Sequence, residues 1–150
     1  MLATRLVRLI ESHADRLSHC VVEKLEHDPR CSDLRKVPSD ELRARSYEIY
    51  CHLNEWLLGK TERELERLYT EIGIRRAQQD IPFSHVLWAM NAIKEQLWQF
   101  LQDEGAVTKP MELFGEMELF LLVERFFDRA VYYACAGYES VLRPQAVAAA

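Results

Sequence analysis

Apolar residues recur at intervals of three and four positions along almost the whole of this 150-residue chain. The first series is Leu6, Ile10, His13, Leu17, Val21 and Leu25, and this spacing places the six side chains on one face of a helix. No segment shows the strict apolar–polar alternation of a half-buried strand. The chain is therefore predicted to be all-α, and its length suits one domain with its own core.

Caps and helix-breaking residues divide the pattern into five predicted helices. Asp28-Pro29 ends the first helix, and a Thr61–Glu64 capping box begins the third. The predicted helices run from about Thr4 to His27, from Ser39 to Gly59, from Thr61 through Ile72, from Ser84 to Gly105 and from about Met111 to Leu142. We expect a five-helix bundle, globin-like or four-helix-bundle-like, with a long C-terminal helix.

Domain limits follow from the C-terminal sequence. Residues 1–142 are predicted to form a single helical sensor or interaction domain. Pro144 breaks a helix and only small residues follow it, so residues 143–150 are predicted to be a flexible tail.

The segment from Gly73 to Met90 lies between the third and fourth predicted helices. Ser84 is the expected N-cap of the fourth helix, with Asp80 as the alternative. With Ser84 as the cap, Phe83 and Trp88 occupy the two positions of a hydrophobic staple. The segment is therefore predicted to turn one helix into the next.

Two adjacent arginines, Arg75 and Arg76, precede this turn. We interpret both as exposed residues that pair with nearby acids such as Glu71 and Asp80 and complement the negative end of the third helix. An alternative is that their guanidinium groups bind an anion or an acidic partner surface. On the first interpretation, replacing either residue by Ala changes stability by less than about 1 kcal/mol.

Charge and hydropathy exclude several classes of protein. The chain has 19 Lys and Arg and 24 Asp and Glu, so its net charge is −5. This negative charge disfavours a nucleic-acid partner. No apolar run approaches the about 20 residues of a membrane span. The four cysteines are widely spaced, so they predict neither a zinc site nor a disulfide framework, and a cytoplasmic location fits best.

Catalytic and cofactor motifs are not visible either. No nucleophile-plus-base arrangement surrounds a Ser or Cys, and no pair of His ligands shares a helix face. The chain is predicted not to be an enzyme and to hold no metal or cofactor. Haem binding through His13 or His85, as in a globin-like haem or small-ligand sensor, is the alternative.

The fifth predicted helix carries apolar residues over a wider arc than one bundle core requires. This excess predicts a homodimer or partner interface on that helix. The residues assigned to the interface are Phe126, Ala130, Tyr133, Ala134 and Gly137.

The stretch "LYTEIGIRRAQQDIPFSHVLWAMNAIKEQLWQFL", Leu68 to Leu101, resembles the N-terminal domain of the RsbT co-antagonist family, of the RsbRD type, a helical input module of bacterial stress signalling. Members often carry Gly before Ile-Pro, where this chain has Asp80. The positions that carry the resemblance are Gly73, Arg75, Arg76, Ala77, Ile81, Pro82, Leu87, Leu97 and Trp98.

This resemblance implies a non-enzymatic sensor or interaction module, related in shape to haem-free globin-like input domains that dimerise. It implies a signalling protein or a downstream output domain as the partner. The expected function is a regulatory input domain that acts through protein–protein contacts in bacterial stress or signal transduction.

Overall fold

A computed structural model describes the backbone of residues 2–149 and the side chains of residues 2–143. The α-helices are α1 (Thr4–Ser12), α2 (Ala14–Glu26), α3 (Ser39–Cys51), α4 (Glu62–Gln78), α5 (Phe83–Asp103) and α6 (Pro110–Ala149). A 3-10 segment, Pro29–Lys36, joins α2 to α3, and a π-helical turn, Glu55–Gly59, joins α3 to α4. Residues 2–149 contain no strand, so the all-α prediction is confirmed, but the predicted count of five helices is wrong.

The first predicted helix is two helices because of His13. Its Nδ1 donates to the Leu9 carbonyl at 2.8 Å, the acceptor that its own main-chain N–H would use in a continuous helix. The main-chain N–H bonds instead to the Ile10 carbonyl at 3.1 Å. The apolar spacing continues across this kink, so the sequence pattern gives no sign of it.

The predicted loop after α2 is also helical. Asp28 caps the 3-10 segment by accepting a hydrogen bond from the Arg30 main-chain N–H at 3.0 Å. Cys31, Leu34 and Val37 are buried, so this connection contributes to the core.

Two glycines allow α4 and α6 to cross with their backbones in contact. A Cβ atom on Gly73 would lie 1.9 Å from the Ala134 carbonyl oxygen, and one on Gly137 would lie 2.2 Å from the Thr70 carbonyl oxygen. Real Cβ atoms do not come so close to other heavy atoms, so only glycine fits at these two positions.

Helix α6 is the longest element, with 40 residues and a length of about 60 Å. It continues past the predicted end at Leu142 and through Pro144 to Ala149. The side chains of residues 144–150 lie outside the described residues, and the flexibility of the tail stays a prediction. Within residues 2–149, no helix has the length and apolarity that crossing a membrane requires.

Candidate functional site

Six of the nine positions that carry the family resemblance lie at or near the α4–α5 junction, where α4 ends in a Schellman motif; they are Gly73, Arg75, Arg76, Ala77, Ile81 and Pro82. The main-chain N–H of Asp80 donates to the Ala77 carbonyl at 3.0 Å, and that of Ile81 donates to the Arg76 carbonyl at 3.1 Å. Asp80 has φ 56°, the left-handed conformation that glycine adopts most easily. Ile81 is fully buried, and Pro82 directly precedes α5, so neither Ser84 nor Asp80 is its N-cap.

Replacing Asp80 by Gly is expected to raise the free energy of unfolding by about 0.5–1 kcal/mol. Relief of the left-handed strain outweighs the greater chain entropy of glycine in the unfolded state. The Lys36 ammonium donates to the main-chain oxygen of Asp80 at 2.8 Å, so this contact survives the substitution. Urea denaturation measures the change. Asp80→Ala is the control: it is expected to destabilise, and a stabilised Ala variant would contradict the strain argument.

The predicted Phe83–Trp88 staple is wrong. The Phe83 ring packs on Tyr138 of α6 at 5.5 Å between centroids, and the Tyr138 hydroxyl donates to the Ile81 carbonyl at 2.7 Å. The Trp88 ring lies against the Arg30 guanidinium, and its Nε1 donates to Asp28 at 2.8 Å. Helix α6 therefore fixes the junction through Tyr138.

The two adjacent arginines have different environments. Arg75 is exposed and donates to Glu41 of α3 at 2.7 Å. Arg76 is only 3% exposed, donates to Gln79 at 3.0 Å, and lies 3.5 Å from the same Glu41 oxygen. The predicted exposure of Arg76 is therefore wrong, and Glu41 takes the place of the expected acids.

Glu41 balances several positive charges at this position. Burial alone would raise the pKa of its carboxyl group, but the hydrogen bond from Arg75 and the charges of Arg76, Arg75 and Arg45 lower the pKa below its ordinary value. The ionised carboxylate therefore ties α3 to the C-terminal end of α4.

The residues assigned to an interface on α6 are used within the chain. Phe126, Ala130, Ala134 and Gly137 are buried, so they offer no free surface to a partner. Tyr133 is half-buried and donates to Glu62 of α4 at 2.6 Å, which raises the pKa of Tyr133 to about 12. This set is corrected: it joins α6 to the rest of its own chain.

The free apolar surface of α6 lies on the opposite side of its N-terminal half. We call it the α6 stripe. Its side chains are exposed by 50–67%. They are Met111, Leu113, Phe114, Met117, Phe120 and Leu121. The sequence signal was present, because apolar residues also recur three and four positions apart on this second face.

Trp98, another position that carries the family resemblance, lies apart from the junction and next to the α6 stripe. It is 16 residues along α5 from Pro82, or about 24 Å along the helix axis. Its ring lies 5.7 Å from that of Phe120. Its Nε1 is buried and has no hydrogen-bond partner among the described residues.

A cavity of about 80 Å³ opens among α2, α3, α4, α5 and α6. Its wall is mainly apolar and carries a few charged side chains, among them Arg45 and Arg76. Of the three tryptophans, Trp56 lines the cavity, whereas Trp88 and Trp98 do not.

Both candidate haem ligands make hydrogen bonds through their Nδ1 atoms. The His13 ring is held by the Leu9 carbonyl and lies 5.2 Å from the Phe100 ring. The Nδ1 atom of His85 accepts a hydrogen bond from the Asp33 main-chain N–H at 3.2 Å. Among the described residues, no group of three or more His, Cys, Asp or Glu side chains is arranged to hold a metal ion.

Comparison with known proteins gives one family. The sequence profile described as the RsbT co-antagonist protein rsbRD N-terminal domain matches residues 15–149, which extend from α2 to the end of α6. No curated protein and no solved structure matches the chain. The match agrees with the resemblance found in the segment from Leu68 to Leu101.

Proposed function

The chain belongs to the RsbT co-antagonist protein rsbRD N-terminal domain family of stress-signalling input domains, and from this premise we propose a non-enzymatic, cytoplasmic regulatory domain that acts through protein–protein contacts. The observation that carries this proposal is the α6 stripe. It offers a surface for assembly, whereas four of the five residues first assigned to an interface are buried within the chain.

The size of the α6 stripe favours a stable contact. Six large apolar side chains, each exposed by 50–67%, present roughly 700 Å² if a fully exposed side chain of this size contributes about 200 Å². This is more than the largest apolar patch of a typical monomer, about 300–600 Å². It is close to the about 800 Å² that each partner contributes to a standard interface.

We propose that a second copy of this chain covers the stripe, forming a homodimer. Leu113, Met117 and Leu121 recur every four residues, and Phe114, Met117 and Phe120 recur every three. These helical spacings suit side-by-side packing of two identical helices. On its other side, α6 approaches the N-terminus of its own chain, where a Cβ atom on Gly115 would lie 2.8 Å from the Leu2 carbonyl oxygen. The stripe thus remains available for a partner while α6 is held in place.

Phe114→Asp and Met117→Asp are expected to convert a dimer into a folded monomer. A carboxylate at the centre of an apolar interface loses its hydration without gaining a partner, whereas in the free chain both side chains are more than half exposed. Light scattering at about 10–100 μM should give twice 17.6 kDa for the wild-type chain and 17.6 kDa for the variants.

Leu58→Asp is the matched control, because Leu58 is 57% exposed but lies in the π-helical turn before α4. It should remain a dimer, and thermal melts should show that all three variants are folded. A wild-type monomer across this concentration range, or equal loss of dimer in Leu58→Asp, would contradict the homodimer through α6. If the wild-type chain is monomeric, a different protein is the next candidate to cover the α6 stripe.

A further inference from the structure

The cavity among α2, α3, α4, α5 and α6 has a volume of about 80 Å³ and an almost entirely apolar wall. One water needs on the order of 10–15 Å³ on this measure, together with two to four polar partners. The cavity has the space for water, but its wall has too little polar surface to supply those partners. Apolar cavities of this kind stay dry and bind small apolar molecules.

Two of the polar residues in the wall have their hydrogen-bonding groups engaged elsewhere. The Ser46 hydroxyl donates to the main-chain oxygen of Leu42 at 3.1 Å. The Arg76 guanidinium donates to Gln79 at 3.0 Å and lies 3.5 Å from a Glu41 oxygen. A charged molecule would lose its hydration in this cavity without gaining a partner, so a ligand of the cavity has to be uncharged.

The entrance to the cavity lies between α3 and α4. The wall residues from α2, such as Val21, are buried, whereas Leu42 of α3 and Ile72 of α4 are half-buried. The backbones of α3 and α4 approach each other closely at few points. Movements of side chains are therefore enough to admit a small molecule from solvent.

We propose that this cavity binds one uncharged apolar molecule of roughly three heavy atoms, in contact with Ile49 of α3, Met90 of α5 and Phe127 of α6. The size limit follows by proportion, because an engineered cavity of about 150 Å³ holds benzene and this cavity has about half that volume. Dissolved gases and short hydrocarbons share this chemistry. The inference names a class of cue for the proposed function, and it rests on that function only for its regulatory meaning.

Xenon is the first probe, because dry apolar cavities bind it. Methyl NMR spectra of the wild-type chain are recorded at increasing xenon pressure. We expect saturable chemical-shift changes at the methyl groups of Val21, Ile49 and Met90, and no such change at Leu142, which is 60% exposed and does not line the cavity. Absence of saturable changes at the three cavity residues would overturn the proposal.

Three further ligands test the size limit and the source of the ligand. Propane should shift the same methyl signals as xenon, whereas benzene is too large and should leave them unchanged. Dioxygen is paramagnetic, so its binding should broaden these signals selectively. Selective broadening by dioxygen identifies a dissolved gas as the ligand, and shifts with propane alone identify a short hydrocarbon. Binding of benzene as tight as that of propane would overturn the size limit.

One substitution and its matched control test the location of the site. Ala89 lies in the wall, and Ala89→Leu adds three carbons there, so this variant should lose the xenon-induced shifts. Ala44→Leu makes the same change at an exposed position of α3 that does not line the cavity, and it should bind xenon as the wild-type chain does. A folded Ala89→Leu chain with undiminished xenon binding would place xenon elsewhere. If Ala89→Leu does not fold, the methyl shifts of the wild-type chain decide the location.

The proposed dimer is tested separately by light scattering of the same wild-type sample. The wall of the cavity contains no residue of the α6 stripe, so xenon binding does not require the dimer. A monomer that binds xenon contradicts only the homodimer, whereas a dimer without saturable xenon binding contradicts only the cavity proposal.

Discussion

Gly73→Ala is expected to lower the free energy of unfolding by about 3 kcal/mol or more. The new Cβ atom would lie 1.9 Å from the Ala134 carbonyl oxygen and 2.9 Å from the Tyr138 main-chain nitrogen. Overpacking costs about 1–3 kcal/mol and occasionally more, and here the obstructing atoms belong to a helix backbone that cannot rotate away. The helix preference for Ala over Gly, up to about 1 kcal/mol, acts in the opposite direction and is smaller.

Gly59→Ala provides the control for this experiment. A Cβ atom at Gly59 meets only the Glu55 side chain, at 3.8 Å, which is an ordinary van der Waals distance. This variant should therefore stay within about 1 kcal/mol of the wild-type chain in urea denaturation. A Gly73→Ala variant as stable as Gly59→Ala would mean that α4 and α6 do not cross this closely.

The all-α class was predictable because helical periodicity is a local property of the sequence. The break at His13 was not, since it arises from a side chain that takes the Leu9 carbonyl from the main chain without disturbing the apolar spacing. The prediction of five helices also missed the helical form of the Pro29–Lys36 segment, because the polar composition of this segment is typical of a loop.

The interface residues show what periodicity leaves undetermined. The sequence indicated more apolar surface on α6 than one core needs, but it did not say which face the rest of the chain covers. Ala134 and Gly137 belong to the close crossing with α4, whereas Phe114 and Met117 remain exposed. Small residues at helical spacing are typical of two helices that cross closely. Their presence in the C-terminal half of α6 favours packing against another helix of the same chain.

The paired arginines illustrate a related limit. Neighbouring residues on a helix point about 100° apart, so Arg75 and Arg76 cannot share one environment at the edge of a core. The sequence does not determine which of the two faces inward. The packing of α4 in the folded chain decides it, and Glu41 of α3 lies within reach of both residues.

Arg76→Ala is expected to lower the free energy of unfolding by about 2–4 kcal/mol, whereas Arg75→Ala lowers it by less than about 1 kcal/mol. The Arg76 substitution removes a buried side chain from the cavity wall and leaves Gln79 without its donor. Glu41 keeps Arg75 as a partner in this variant. The loss of stability is therefore smaller than when an isolated buried ion pair is broken. Arg75 has a side chain that is 49% exposed, and water replaces much of its interaction. Urea denaturation of both variants measures the difference.

Arg76→Met separates the two contributions of this side chain, because Met retains most of the apolar stem but neither the charge nor the donors. If the hydrogen bonds and the ion pair dominate, Arg76→Met will be destabilised nearly as much as Arg76→Ala at neutral pH. The lowered pKa of Glu41 then sets the pH dependence: its stabilising charge is present above the ordinary carboxyl pKa and is lost as the pH falls through the lowered one. The difference in the free energy of unfolding between the wild-type chain and Arg76→Met should therefore become smaller in acid. A larger loss of stability in Arg75→Ala than in Arg76→Ala, or a gap independent of pH, would show that Glu41 and Arg76 are not coupled as described.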